Sequence, residues 1–139
     1  MKKDSVYCGC LFFSAGALSR NLTRIAEEEY KPTGLSPSHA LLLLTISAYS
    51  GVRPSQLAEE MQLTPSTVTR LLDKLESKKM ITRAGVGKSV IVKATTRGVA
   101  LVPAIKEAWL RLYHRYSKAT GKHREKLTRW VYDTAQRLT

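Results

Sequence analysis

The apolar positions fall into blocks with helical spacing, separated by short polar or glycine- and proline-bearing breaks. Between residues 8 and 30, Leu11, Phe12, Ala15, Leu18, Leu22 and Ile25 form an apolar-rich helical pattern that ends on Glu27-Glu28-Glu29. Pro32 and Gly34 then break the chain. Ser36 fits the N-cap of the next helix with Pro37 just inside it; Leu41 to Leu44 and Ile46 are too apolar for a surface face, so this helix is expected to be central. A third, short helix opens on Pro54, whose missing N–H is no loss at a first helical position, and turns Leu57, Ala58 and Met61 inward. After a turn at Gln62-Leu63, Thr64 caps a fourth helix with Pro65 at its first position, and Val68, Leu71, Leu72 and Leu75 make one apolar stripe. The period then changes. Met80-Ile81-Thr82-Arg83 and the β-branched run Ser89-Val90-Ile91-Val92-Lys93 flank a loop over residues 84–88, which predicts a hairpin. Thr95 caps a long helix through Leu101, Ile105, Trp109, Leu112 and Tyr116, closed by Gly121, and a last helix carries Leu127, Trp130, Val131 and Leu138.

The polar side of the fourth helix is unusual. A surface helix commonly shows Glu and Lys pairs four apart; this one shows Ser66, Thr67, Thr69, Arg70, Asp73 and Lys74. Short hydroxyls let a helix backbone approach phosphates and base edges closely, and arginine is the commonest bidentate reader of guanine. Two short helices joined by a tight turn, with such a face on the second, have the pattern of a helix-turn-helix that places its second helix in the DNA major groove. The hairpin that follows makes it a winged helix. Gly85 and Gly87 before Lys88 do not make a phosphate loop, because no helix starts after them.

On these residues the chain resembles the MarR family of transcription regulators. The matching stretches are Gln56-Leu57-Ala58, the run from Thr64 to Glu76, Lys79-Met80-Ile81-Thr82-Arg83, and Thr95-Thr96-Arg97-Gly98. The resemblance implies a mainly α fold with a small β-hairpin wing: a winged helix-turn-helix over residues 35–97, flanked by dimerisation helices over 1–34 and 98–139. It implies a homodimeric repressor that reads a pseudo-palindromic operator in double-stranded DNA through the helix 64–78. Ser66, Thr67, Thr69 and Arg70 would read bases from the helix that Thr64 opens. Ser55, Gln56 and Lys74 would hold phosphates, with Arg83 and Lys88 on the wing. Family wings usually carry an Asp followed closely by an Arg at the tip; this chain has Gly87-Lys88 and no acid there. A winged helix that binds an acidic protein partner is the other reading of the same surface.

Composition agrees with a polyanion partner. The 139 residues suit one domain with appended helices, and the net charge is +12. The excess is asymmetric: residues 53–97 carry nine Lys/Arg against four Asp/Glu, and residues 98–139 carry nine against three. Each phosphate neutralised adds sequence-independent DNA affinity. Leu11, Phe12, Leu18, Leu101, Trp109, Trp130, Val131 and Leu138 offer more apolar surface than a thin monomer covers, which points to a second copy; closing an intramolecular helical core is the alternative.

Control by a small-molecule effector is implied by the family, with His39, Tyr49, Trp109 and Tyr113 as pocket candidates, though aromatic residues at helical spacing also build cores. Cys8 and Cys10 are candidates for oxidative control, or else two small apolar residues near an interface. The three histidines (His39, His114 and His123) lack metal-ligand spacing, and no nucleophile, base and acid set is visible, so neither a metal, a cofactor nor an enzyme is expected. Lys2-Lys3, the apolar run from Val6 to Phe13 and Ala15-Gly16-Ala17 resemble a signal peptide, but Asp4 interrupts the basic segment and the helical spacing runs on through Ile25. No run reaches a membrane span of about 20 residues. The expected location is the cytoplasm.

Overall fold

Among residues 3–139, which this computed structural model describes, six helices and one antiparallel hairpin follow each other along the chain. They are α1 (Leu11–Tyr30), α2 (Pro37–Ser47), α3 (Pro54–Met61), α4 (Pro65–Ser77), β1 (Ile81–Val86), β2 (Ser89–Ala94), α5 (Thr96–Thr120) and α6 (Arg124–Arg137). Single 3-10 turns, Lys31–Thr33 and Gly121–His123, stand before α2 and between α5 and α6. The fold is therefore mainly α with a small β-hairpin wing. No helix among the described residues is long and apolar enough to cross a membrane. Lys2 lies outside them.

Hydroxyl caps set three of the helix starts. The side chains of Ser36, Thr64 and Thr95 each accept a hydrogen bond from the backbone N–H three residues on, at His39, Thr67 and Gly98. Helix α2 is the hub: Leu42, Leu43 and Ile46 have no exposed surface and pack with Leu57, Val68, Leu72, Leu75, Ile81, Val92 and Ile105 in one core. A helix apolar on every side can only be buried, and the other elements wrap it.

Two expectations are corrected. Helix α1 starts at Leu11, with Cys10 as its N-cap. Ahead of it the backbone turns, Cys8 N–H donating to Ser5 O at 3.0 Å and Cys10 N–H to Tyr7 O at 2.8 Å. The wing loop is shorter than residues 84–88, because Ala84, Gly85 and Val86 pair with Ile91, Val90 and Ser89. Only Gly87 and Lys88 remain as the turn, and Gly87 takes φ +62°, the left-handed first position that two-residue hairpins demand. Helix α5 is the single long helix its spacing predicts, running through Pro103, whose ring removes one helical donor without ending the helix.

Two tertiary joins fix α5, one to α1 and one to the winged segment. Glu28 and Glu29 sit at the C-terminal end of α1, where the helix dipole disfavours negative charge. Arg115 of α5 answers both, at 2.6 and 3.1 Å, and Arg111 donates to the Glu29 carboxylate at 3.0 Å and to its backbone oxygen at 2.9 Å. The Arg115 hydrogen bond holds Glu28 below the usual carboxylate pKa. At the other end of α5, Gly98 lies against the start of the hairpin, where a Cβ would stand 2.2 Å from the Met80 carbonyl oxygen.

The outer helices divide: α5 contributes Ile105 and Ala108 to the core and packs Leu101 against it, while much of the apolar surface of α1 and α6 stays outside it. Helix α6 buries none of its side chains, and Phe12, Trp130 and Leu138 remain 91%, 60% and 79% exposed.

Candidate nucleic-acid interface

Helices α3 and α4 meet through a turn in which Gln62 adopts φ +53°. That left-handed residue ends α3, and Leu63 N–H donates back to Ala58 O at 3.0 Å. Thr64 can then cap α4 at once. The opposite end of α4 closes the same way at Lys79, φ +60°, with Met80 N–H donating to Leu75 O at 3.0 Å. Between these stops, Val68, Leu72 and Leu75 are buried, while Ser66, Thr69, Arg70, Asp73 and Lys74 are exposed. One helix thus anchors to the core by one stripe and offers the other to solvent.

The hydroxyls on that outer face are chemically unequal. Thr64 Oγ accepts from Thr67 N–H at 3.3 Å, and it shares hydrogen bonds with the hydroxyls of Ser66 (3.2 Å) and Thr67 (2.8 Å). Thr69 donates its hydroxyl proton to Pro65 O at 3.0 Å. A hydroxyl has one proton, so what Thr69 turns outward is an acceptor. Arg70 is the converse: exposed, donor-only, and without a carboxylate partner among the described residues. Side by side they make an acceptor and a donor fork one residue apart on the same helix.

Ser55 and Gln56 lie exposed in the first turn of α3. Gln56 Oε1 accepts from Arg53 N–H at 3.1 Å, which fixes the start of α3 and leaves the amide NH₂ as the free donor. Lys74 and, at the wing turn, Lys88 are exposed and unpaired with any carboxylate among the described residues. Arg83 is placed differently from Lys88. It leaves the base of β1 toward α4, donating to Asp73 at 2.7 Å and to both carboxylate oxygens of Glu76 at 3.0 and 3.3 Å. The clamp holds Glu76 below its ordinary pKa and raises that of Arg83, in each case chiefly through the hydrogen bond between them. Asp73 and Glu76 are partners of Arg83 that sequence spacing did not single out, since the pairing depends on how the wing folds back.

The four pocket candidates do not converge. Tyr49 and Trp109 line a common cavity of about 500 Å³ with Leu44, Thr45, Glu60 and Lys106, and the Tyr49 hydroxyl donates to the Glu60 carboxylate, which raises the pKa of the phenol. Tyr113 belongs to a different hollow, at the corner of α5 and α6, where Arg124 lies 4.7 Å above its ring. His39 sits at the start of α2, bonded to Ser36; burial, then the charges of Lys74 and Lys78, hold its pKa below the ordinary histidine value. Cys8 and Cys10 are both free and exposed in the turn before α1. No group of three or more His, Cys, Asp or Glu able to hold a metal ion occurs among the described residues.

Comparison with known proteins bears on this arrangement. The model of the MarR family matches residues 35–84. The HTH-type transcriptional repressor MdtR of Bacillus subtilis (strain 168) is 32% identical over 83 residues, covering 60% of this chain and 54% of that protein. The chain thus spans about half the length of this curated relative. The structure of an S. aureus MepR–DNA complex superposes with a TM-score of 0.79 at 17% identity, over 99% of this chain and all (100%) of that one. CouR from Rhodococcus jostii RHA1, bound to p-coumaroyl-CoA, gives 0.77 at 20% identity over 97% and 95%. Those two likenesses establish the fold along nearly the whole chain. The family match falls on α2, α3, α4 and the first strand of the wing, the elements that build the exposed hydroxyl and arginine face, and over that winged helix-turn-helix the chain is similar to the MarR family.

Proposed function

We propose that this protein is a homodimeric, sequence-specific DNA-binding transcription regulator acting as a repressor at a pseudo-palindromic operator. The observation that carries the reading is the outer face of α4: an anchored helix whose exposed side offers Thr69 as acceptor beside Arg70 as donor, with no carboxylate on Arg70 among the described residues. That pairing suits the major groove, where Arg70 takes guanine O6 and N7 and Thr69 takes the amino group of a neighbouring adenine or cytosine. Thr64, Ser66 and Thr67 complete the approach as short hydroxyls, and Ser55, Gln56 and Lys74 hold the flanking phosphates. Lys88 reaches phosphate from the wing turn. Arg83 serves the wing from its base, by fixing its angle to α4 through Asp73 and Glu76.

Residues 35–97 form the reading unit in this proposal, and 1–34 with 98–139 join two copies. The uncovered apolar side chains Phe12 of α1, Trp130 of α6 and Leu138 just beyond it support a partner surface there. Two reading heads related by a two-fold axis would engage half-sites about one DNA turn apart. The cavity beside Tyr49 and Trp109 is the effector site we favour, since it lies between α2 of the winged unit and the long helix α5. Oxidation at Cys8 or Cys10 is the second route to release. The location proposed is the cytoplasm, with no membrane partner. MepR bound to DNA and CouR bound to p-coumaroyl-CoA are relatives in fold that accord with both kinds of partner.

Selection of bound duplexes from a random pool, followed by a salt series, tests the reading. The expected result is two inverted half-sites and an affinity that falls steeply with salt. A pool without consensus and a shallow salt dependence would instead support an acidic protein partner.

A further inference from the structure

The turn ahead of α1 belongs to neither the reading face nor the cavity beside α5. Cys8 and Cys10, the only cysteines of the chain, are both free and exposed there. Gly9 separates them, and a Cβ at Gly9 would meet no atom within 4 Å, so the pair is open on that side. The turn is nevertheless built. Besides its two backbone bonds, Ser14 donates its hydroxyl to Cys8 O at 3.2 Å, and the rings of Tyr7 and Phe13 stand 5.4 Å apart, fastening the turn to the first helical residues.

Helix geometry explains why the pair can act together. Two residues apart on an α-helix, side chains diverge by about 200°. Here α1 begins only after Cys10, which is extended at φ −93° and ψ 115°. Outside the helix, residues two apart have Cα atoms within about 7 Å of each other, a span across which two sulfurs can share one ion. Cys10 is also the N-cap of this 20-residue helix, its side chain makes no capping hydrogen bond, and the first turn contains no acidic residue. The positive end of the helix therefore stands beside the sulfurs without a negative side chain in its first turn to answer it.

We propose that Cys8 and Cys10 form a two-coordinate thiolate site for a soft monovalent cation, cuprous ion. On binding, each thiol releases its proton to water, two sulfur–copper bonds form, and no electron is transferred. The product, a cation held by two thiolates, carries one net negative charge at the helix N-terminus, where negative charge is favoured. Thiolates select cuprous ion over harder cations. Zinc asks for four ligands, and no third or fourth one stands nearby among the described residues.

The experiment is an anaerobic titration of the fully reduced chain with cuprous ion against bicinchoninate. One ion per chain is expected, with near-ultraviolet thiolate-to-copper charge-transfer absorption. Cys8→Ser and Cys10→Ser should each lose at least roughly 100-fold in affinity, the upper end of what loss of an outer-shell partner costs. Both positions are exposed, and circular dichroism of the variants checks that the fold persists. Undiminished uptake by either single variant, or one ion shared between two chains, overturns the proposal.

Discussion

Gly98→Ala separates two physical accounts of this fold by sign. Gly98 lies in the first turn of α5, and on helix propensity alone alanine would stabilise that turn by about 1 kcal/mol. The packing says the reverse. The added methyl would stand 2.2 Å from the Met80 carbonyl oxygen and 3.1 Å from both Met80 C and Leu43 Cδ1. Ordinary contact needs about 1 Å more than the shortest of these, and the obstacle is backbone rather than a side chain that can swing away. Nor is that carbonyl free to move, because it accepts from Thr95 N–H at 3.0 Å, the bond that ties the hairpin to the cap of α5. Overpacking of this kind costs about 3 kcal/mol, and loosening the Met80–Thr95 bond about 1 kcal/mol more. Against the propensity gain, the net loss is about 2–3 kcal/mol. For a chain of this size that lowers Tm by roughly 10 °C, read by thermal denaturation at a fixed chain concentration. A Tm equal to or above that of the parent protein would refute the packing argument.

Other outcomes follow from the reading face and its supports. Arg70→Ala should weaken operator binding by about 1–3 kcal/mol and relax the preference at one base pair of each half-site, whereas Lys88→Ala should weaken all duplexes alike and reduce the salt slope; the same relaxation in both variants would sink the division of roles. Thr64→Ala removes the α4 cap and should cost about 1 kcal/mol by urea denaturation, with Thr64→Ser restoring most of it. Lys79→Gly should stabilise by about 1 kcal/mol, because Lys79 holds φ +60° where glycine pays no steric penalty; an unchanged urea midpoint would show that the strain is absent. His39 has a depressed pKa, so below pH ~6.5 the unfolded chain binds a proton that the folded chain resists, and stability falls as pH drops through that value. His39→Gln should flatten this part of the urea-midpoint profile between pH 7.5 and 5.5, and identical slopes in the two proteins would contradict it.

Legibility from sequence followed the range of the interaction. Caps at Ser36, Thr64 and Thr95 and the buried stripe of α4 are set within four residues, and all stand where the spacing puts them. The wing was readable as a hairpin but not in its length, because register depends on the partner strand: pairing of Val86 with Ser89 reduces the loop to Gly87-Lys88. Helical periodicity could not show that α1 starts at Leu11, since a turn fastened by Ser14 and the Tyr7–Phe13 pair leaves the same apolar spacing in the sequence.

What the chain order determined by itself is the inventory: an all-round apolar hub, a helix pair with a hydroxyl and arginine face, a hairpin and two apolar outer helices. Those features come from periodicity and caps, which act between near neighbours. Tertiary structure alone decided which charges stay available. Arg70 and Arg83 are the same residue type, yet among the described residues one faces solvent without a carboxylate and the other is clamped between Asp73 and Glu76. It also sent His39, Trp109 and Tyr113 to three separate places. Whether a side chain is free or engaged depends on the angle at which distant elements dock, and that angle follows from how the whole core packs around α2.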